Sequence, residues 1–266
     1  MKKLKNKFNN SYLMINMIKN KINISSDNEI IEKNVYSLVG IDLIGNRVFL
    51  GFYIDKNNDN RFFLNIFETL KSKGINKIYY FIANDDGKLK RALNISYPST
   101  IIITNLTMNI ASLWYHISYR SRNDLISKLK KLYVQDNYDN AYILECCLKE
   151  DFNDNALVLL LLDKYFSNIK DYYQYDVDVR NFLFNHNSFT DFYDKIKSVS
   201  KERMFNDEND LYKEFNDYIE AMEKNRLYDK KKWSNILNHC SKYFPNLLEE
   251  VANILWKKKK INLIKL

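Results

Sequence analysis

The sequence predicts an α+β fold in which a mixed β-sheet comes first and a mostly helical part follows. Short β-rich runs fill the first third of the 266 residues, whereas apolar residues recur at helical spacing beyond residue 108. Only 5 Gly and 2 Pro are present, so few residues would break a helix. A hydrophobic fraction of 46% supplies enough apolar side chains for a folded core.

The β-rich runs predict five strands with two helices between them. The strands are expected at residues 12–18, 35–42, 47–54, 77–83 and 100–104. Gly45 and Asn46 separate the second and third runs, and this pair is typical of the turn of a β-hairpin. Apolar spacing over residues 61–73, with Gly74 as a C-cap, predicts a helix before the fourth strand. A shorter helix is expected at residues 89–93.

The rest of the chain is predicted to be helical and continuous with the sheet. Helices are expected at residues 110–119, 122–133, 139–149, 155–170, 178–184, 189–199, 209–224 and 231–239. No Pro- or Gly-rich linker and no repeat divides the sequence. We therefore expect one compact unit with three portions. These are a sheet portion at 1–107, a helical insertion at 108–180 and C-terminal helices at 181–266 that complete the core.

Composition narrows the class of protein but does not name a function. A net charge of +8 favours a polyanionic partner such as DNA, although a general enrichment in Asn, Lys, Ile and Tyr weakens that argument. The three cysteines have neither a disulfide nor a metal-site pattern, and His116, His186 and His239 have no spacing typical of a metal site. The most apolar run, residues 156–162, is far shorter than the roughly 20 residues of a membrane span. We expect a cytoplasmic protein, nucleoid-associated if it binds DNA.

Several short motifs occur in a fixed order between residues 12 and 244. They are the hairpin at 35–51, the helix end at 73–75, Asp86-Gly87 after a strand, and the segments 97–100, 118–133 and 172–187. In this order they resemble the Mutator-type bacterial insertion-sequence transposases. The resemblance implies an RNase H-like fold with a helical insertion. It also implies that a DNA-binding region precedes this core in the family, and we expect this chain to start too late to hold one.

The resemblance further implies a site of three carboxylates that hold Mg²⁺ beside a DNA phosphate. The first position falls on Met14, the second on Asp86 and the third on Thr190, with Asp191 one residue later. A thioether and a hydroxyl cannot replace carboxylates on Mg²⁺. We therefore predict impaired catalysis, with Asp86 as a vestigial metal position and Mg²⁺ as a cofactor only if the enzyme is active.

Three other family positions have also changed. The Cys-x-x-His pair that follows the last strand in the family falls on Asn105 and Met108, and a later Arg falls on Ala111. The loss of these polar residues agrees with the predicted loss of catalysis.

Other interpretations fit the same residues. Asp85-Asp86-Gly87 is also typical of a plain polar turn. A displaced triad of Asp42, Asp86 and Asp191 would make the chain an active metal-dependent transposase. A third interpretation is a structural or interaction protein that has reused the fold, and a decaying gene would give the same pattern.

Basic residues near Asp86 are the candidates for contacts with DNA phosphates. Lys88, Lys90 and Arg91 follow it directly, and Arg120 and Arg122 begin a later predicted helix. The expected partner is DNA, and the resemblance leaves open a homo-oligomer or an association with an intact transposase. No membrane partner is expected.

Overall fold

In the computed structural model, which describes residues 9–26, 29–55, 59, 61–105, 116–184 and 187–264, five strands form one mixed sheet. They are β1 (Ser11–Ser26), β2 (Glu29–Asp42), β3 (Arg47–Asp55), β4 (Lys77–Ala83) and β5 (Ile101–Thr104). β1, β2 and β3 pair antiparallel, whereas β4 lies parallel to β1 and β5 parallel to β4. The order across the sheet is β3-β2-β1-β4-β5. The five predicted strands are therefore confirmed.

The central strand β1 is longer than its predicted span of 12–18. Its second half alternates between the buried Ile22 and Ile24 and the exposed Lys21 and Asn23, and it pairs with β2 along its whole length. Asn and Lys are depleted in strands, so the composition of the second half of β1 did not predict a strand there. Pairing and burial of one face outweigh the low propensity.

Helices make up most of the remaining described chain. They are α1 (Phe62–Ser72), α2 (Gly87–Ser96), α3 (Tyr119–Tyr133), α4 (Tyr138–Glu150), α5 (Ala156–Ile169), α6 (Val177–Phe184), α7 (Asn187–Glu202), α8 (Glu208–Lys224), α9 (Lys230–Ser241) and α10 (Leu247–Ile264), with a 3-10 turn at Lys170–Gln174. The predicted helix at 110–119 lies mostly outside the described residues. α10 was not predicted, because a lysine run interrupts its apolar pattern.

The sheet separates two hydrophobic clusters. α1 and α2 pack against one face, where Phe67 meets Phe81 of β4 with ring centroids 5.5 Å apart. On the other face α7 lies across β1 and α8 lies against β3, with Ile196 and Phe215 in the buried cluster. All the described strands fall within the predicted sheet portion at 1–107, and the division into three portions stays a prediction.

α8 closes the outer edge of β3 with side-chain acceptors. Three backbone N–H groups of this edge strand donate to side chains of the helix at 3.0 to 3.3 Å. The pairs are Phe49 with the Glu223 carboxylate, Phe52 with the Tyr212 hydroxyl, and Ile54 with the Glu208 carboxylate. The edge thus has partners that are not another strand.

None of the helices in the described part of the chain is long and apolar enough to cross a membrane.

Candidate functional site

Asp86 lies just beyond the end of β4 and caps α2. Its backbone is extended, and Oδ1 accepts from the backbone N–H groups of Lys88 at 2.8 Å and Leu89 at 3.1 Å. These bonds satisfy two of the otherwise unpaired donors in the first helical turn. The carboxylate therefore has a structural role, as the polar-turn interpretation predicts, whatever else it does.

A cleft of about 270 Å³ lies beside Asp86. Its polar walls come from β1, β2, the β4–α2 turn and α5, namely Lys19, Tyr36, Asn84, Asp85, Asp86 and Lys164. α5 therefore reaches the end of the sheet. The two lysines place ammonium groups around the position where the family resemblance implies metal ions.

Tyr36 forms the β2 wall of this cleft. Its ring packs against Phe62 and Phe63 at 5.2 and 5.4 Å, and the Lys19 ammonium lies 5.8 Å from its ring centroid. Burial, followed by the charges of Asp55 and Asp86, raises the pKa of Tyr36 to about 12. The hydroxyl is therefore a neutral hydrogen-bond donor at physiological pH, and Lys19 carries the positive charge on this side.

The predicted phosphate-contacting residues occupy two separate helices. Lys88 and Arg91 are exposed on α2, next to the cleft, whereas the Lys90 ammonium lies 2.6 Å from the Asp85 carboxylate. Arg120 and Arg122 lie in the first turn of α3.

Asp42 is a structural residue of the β2–β3 turn. It is 1% exposed, and Oδ1 accepts from the backbone N–H groups of Ile44 and Asn46 at 3.0 and 2.8 Å. Oδ2 accepts from the side-chain amides of Asn9 and Asn46 at 2.7 and 2.8 Å. Four hydrogen bonds thus occupy its carboxylate.

Asp42 and Asp86 lie at opposite ends of the sheet. Tyr12 of β1 pairs with Asp42 on one side and with Ile78 of β4 on the other, whereas Asp86 follows the far end of β4 at Ala83. The strand from Ile78 to Ala83 alone spans roughly 16 Å. Two metal ions that act together lie about 4 Å apart, so the alternative triad of Asp42, Asp86 and Asp191 is not assembled. The Asp191 backbone lies in α7, and its side chain is outside the described residues.

Asn16 is the polar side chain that the sequence analysis missed. Met14 is 1% exposed and pairs with Tyr80, whereas Asn16 lies two residues further along the same face and pairs with Ile82, closer to the end of β4. Asn16 is also 1% exposed, and its Oδ1 has no hydrogen-bond partner among the described atoms. A buried acceptor without a hydrogen-bond partner costs about 1–3 kcal/mol in the free energy of folding. Packing alone therefore does not explain why an Asn stands at this position. An Asn within an apolar strand was the signal in the sequence.

Of the other changed family positions, Thr190 lies in α7, which packs across β1. Its side chain is outside the described residues. Asn105 is 2% exposed, and its backbone N–H donates to the Ala83 carbonyl at 2.8 Å. Met108 and Ala111 lie outside the described residues.

A second polar cluster joins the start of α6 to α9. The Nδ1 atom of His239 lies 2.9 Å from Oδ2 of Asp176, and its Nε2 lies 3.2 Å from Oδ2 of Asp178. Carboxylates only accept, so both ring nitrogens can donate only as an imidazolium. The Lys242 ammonium also lies 2.7 Å from Asp176. In the part of the chain that the structure describes, Asp176, Asp178 and His239 form the group that could hold a metal, and Asp86 is not among them.

The ion pairs of this cluster fix the charge of Asp176. Burial raises its pKa, but hydrogen bonds from Lys242 and His239 outweigh burial and lower the pKa to about 2. Because the Lys242 ammonium already pairs with the Asp176 carboxylate, the cluster is an ion-pair network between two helices. Sequence spacing could not reveal it, because Asp176 and His239 are 63 residues apart.

The oxygen donors at Asp86 fit Mg²⁺ poorly. One carboxylate oxygen already accepts two backbone hydrogen bonds, and Lys19 and Lys164 face the same cleft. A hard divalent cation needs several anionic oxygens, and ammonium groups repel it.

The chain belongs to the Mutator family of transposases, because the family model "Transposase, Mutator family" matches residues 2–227. Among curated proteins, a probable transposase for an insertion sequence element from Corynebacterium diphtheriae is 22% identical over 121 residues. The match covers 46% of this chain and 35% of the relative, so it spans about a third of the relative's length. The predicted resemblance is confirmed.

Proposed function

We propose that this chain is a DNA-binding Mutator-family protein with an RNase H-like core that does not cut DNA by two-metal chemistry. The observation that carries the proposal is the cleft at the end of β4, where Asp86 shares its walls with Lys19 and Lys164. The cleft includes the second family position, Asp86, and places two lysines beside it.

The strand order supports the RNase H-like core. Three antiparallel strands followed by two parallel ones, in the order β3-β2-β1-β4-β5, put Asp86 beside the central strand. α7 crosses β1, so the helix with the third family position lies over the strand with the first.

The side chains on β1 support the loss of cleavage. Neither the Met14 thioether nor the Asn16 amide supplies a negative charge, and Mg²⁺ prefers anionic oxygen. Lys19, on the same strand, adds a positive charge to the cleft. Two metal ions in this cleft would be repelled by the Lys19 ammonium group, because like charges repel each other.

Charge supports DNA as the partner. The chain has a net charge of +8, and Lys88 and Arg91 are exposed beside the cleft. Each phosphate that a lysine or arginine neutralises releases counterions, so binding of this kind weakens steeply with salt.

The test is a gel-shift titration with short duplex and single-stranded DNA at two salt concentrations, with and without Mn²⁺. The same samples are analysed for nicks. We expect salt-sensitive binding without nicks. Mn²⁺-dependent nicks that disappear in Asp86→Ala would overturn the loss of cleavage, and absence of binding at low salt would overturn the DNA-binding role.

Exposed apolar side chains on two helices favour a second candidate function, an interaction protein that associates with another copy of this fold. Tyr142 and Ile143 of α4 are 52% and 60% exposed, and Leu157 and Leu160 of α5 are 46% and 64% exposed. Exposed apolar side chains of this size are typical of protein contacts when they form a patch. Light scattering of the wild type and of Ile143→Ser/Leu160→Ser tests it. A monomer in both samples would contradict self-association.

A further inference from the structure

We infer that Asp176, Asp178 and His239 bind one zinc ion, which joins the start of α6 to α9. The inference does not depend on the proposed DNA-binding function. The cleft beside Asp86 has its polar walls in β1, β2, the β4–α2 turn and α5, so the zinc site lies outside it.

The Asp176 carboxylate is held in place by the backbone around it. Its Oδ1 accepts from the Val179 N–H at 3.1 Å, and the backbone N–H of Asp176 donates to the Tyr243 hydroxyl at 2.8 Å. Oδ2 is thereby turned toward His239. Asp178 follows in the first turn of α6, which brings a second carboxylate to the same imidazole ring. Ligands that are positioned before the ion arrives lose less conformational entropy when they bind it.

Both ring nitrogens of His239 face carboxylate oxygens. Nδ1 lies 2.9 Å from Oδ2 of Asp176, and Nε2 lies 3.2 Å from Oδ2 of Asp178. A neutral imidazole has a single N–H, so its other nitrogen would meet a carboxylate with acceptor facing acceptor. A cation bound at that nitrogen removes this repulsion. A metal ion can therefore take the place that the second proton of an imidazolium would fill.

The spacing of the three donor atoms is close to that of a zinc site. Zinc binds nitrogen and oxygen at about 2.0–2.2 Å, so neighbouring ligand atoms of a tetrahedral site lie roughly 3.4 Å apart. The 3.2 Å between Nε2 and the Asp178 carboxylate is near this value. All three donor atoms lie within 4.8 Å of one another, so a side-chain shift of at most about 1.4 Å brings Asp176 into the set.

The chemistry of the donors favours zinc over magnesium. One imidazole nitrogen and two carboxylate oxygens are typical zinc ligands, whereas Mg²⁺ requires an octahedral set of oxygens. The side chains of His239 and Asp178 are 24% and 46% exposed. Water can therefore reach the ion and fill its fourth position.

Lys242 competes with the ion for Asp176. Its ammonium lies 2.7 Å from Oδ2 of Asp176, but the lysine side chain is 57% exposed and can turn into solvent. One ammonium group here faces two carboxylates and an imidazole. Removal of that ammonium should strengthen zinc binding, because like charges repel each other. An ion-pair network with no affinity for zinc does not predict this gain.

The experiment is isothermal titration calorimetry of the full chain with ZnCl₂, after treatment with a chelator. We expect one zinc ion per chain and no comparable binding of Mg²⁺. His239→Gln should weaken zinc binding by at least about tenfold, the loss that even an outer-shell partner of a metal ligand can cause. His116→Gln, at an exposed histidine outside the cluster, should leave the affinity unchanged.

Two further variants keep the test decisive if His239→Gln does not fold. Lys242→Met should tighten zinc binding by roughly threefold, because it removes a positive charge beside the ion. Cys146→Ser/Cys147→Ser removes two exposed thiols that are alternative zinc ligands, and it should leave the affinity unchanged. Zinc should also raise the thermal unfolding midpoint of the wild type, because the ion binds the folded state.

Each contrary outcome overturns the inference. These outcomes are a wild type that binds no zinc, a His239→Gln variant with wild-type affinity, and loss of binding in Cys146→Ser/Cys147→Ser. Unchanged or weaker binding by Lys242→Met also contradicts it. The DNA-binding function is tested separately by the gel-shift titration, so either proposal can fail while the other stands.

Discussion

The indole Nε1 of Trp233 donates to the backbone carbonyl of Leu43 at 3.1 Å, which ties α9 to the β2–β3 turn. The two residues are 190 positions apart, and the bond is buried. The same indole lies against Gly45, so one side chain holds the turn both by a hydrogen bond and by packing. The C-terminal helices are thereby anchored to the sheet.

Trp233→Phe should destabilise the fold by about 1–3 kcal/mol, because the buried Leu43 carbonyl loses its donor. Urea unfolding followed by circular dichroism measures this. Trp256→Phe, at a side chain 59% exposed, should change the free energy of unfolding by less than about 0.5 kcal/mol. Similar effects of the two substitutions would contradict an anchoring role.

Gly45→Ala should destabilise the fold by about 1–3 kcal/mol. Gly45 has φ of +83°, and an added Cβ would lie 3.0 Å from the Trp233 ring. Gly87→Ala is the matched control, since a Cβ there would lie 4.0 Å from Arg91 and the residue begins α2. Ala is the better helix former, so the control should be neutral or slightly stabilising. Thermal unfolding compares the two.

Stability should fall in acid through Asp176. Its pKa is lowered from 3.8 to about 2, so the ionised carboxylate stabilises the fold above pH 3.8 and this contribution is lost as pH falls through about 2. Asp176→Asn keeps the cap on the Val179 N–H and removes the charge. The free energy of unfolding of the variant should be lower at pH 7 by on the order of 1 kcal/mol, and it should change less between pH 4 and pH 2 than that of the wild type. Unfolding titrations across this range check it, and parallel curves would contradict it.

Binding of duplex DNA should depend on the exposed cations of α2. Lys88→Met and Arg91→Met should each reduce the slope of log affinity against log salt by about 1, because each variant neutralises one phosphate fewer. Lys224→Met, at a side chain 74% exposed on α8, should leave the slope unchanged. Anisotropy with a labelled duplex at several salt concentrations measures it. Equal slopes for all three variants would show that duplex DNA does not bind at the exposed cations of α2.

Local patterns predicted the sheet and most helices, and long-range pairing explains what they did not predict. Apolar runs and the Gly45-Asn46 turn located the hairpin, but the polar half of β1 is a strand only because β2 lies beside it. The residues of the candidate site were likewise predicted only in part. Asp86 was found from its Asp-Gly motif, whereas the contribution of Lys164 depends on how α5 folds back over the sheet. Asn16 is visible in the sequence as a polar residue in an apolar strand, but its position near the end of β4 follows only from its register with that strand.

The bonds between α8 and β3 also determine how this protein should aggregate. An edge strand with open N–H groups is a template on which strands of other molecules can grow. Here Glu208, Tyr212 and Glu223 occupy those groups, so addition of a foreign strand at β3 requires α8 to detach first. Detachment would also expose Phe49 and Phe52, two rings of a strand rich in β-forming residues. The stability of one helix, more than that of the sheet, should therefore set the temperature at which fibrils or precipitates begin to form.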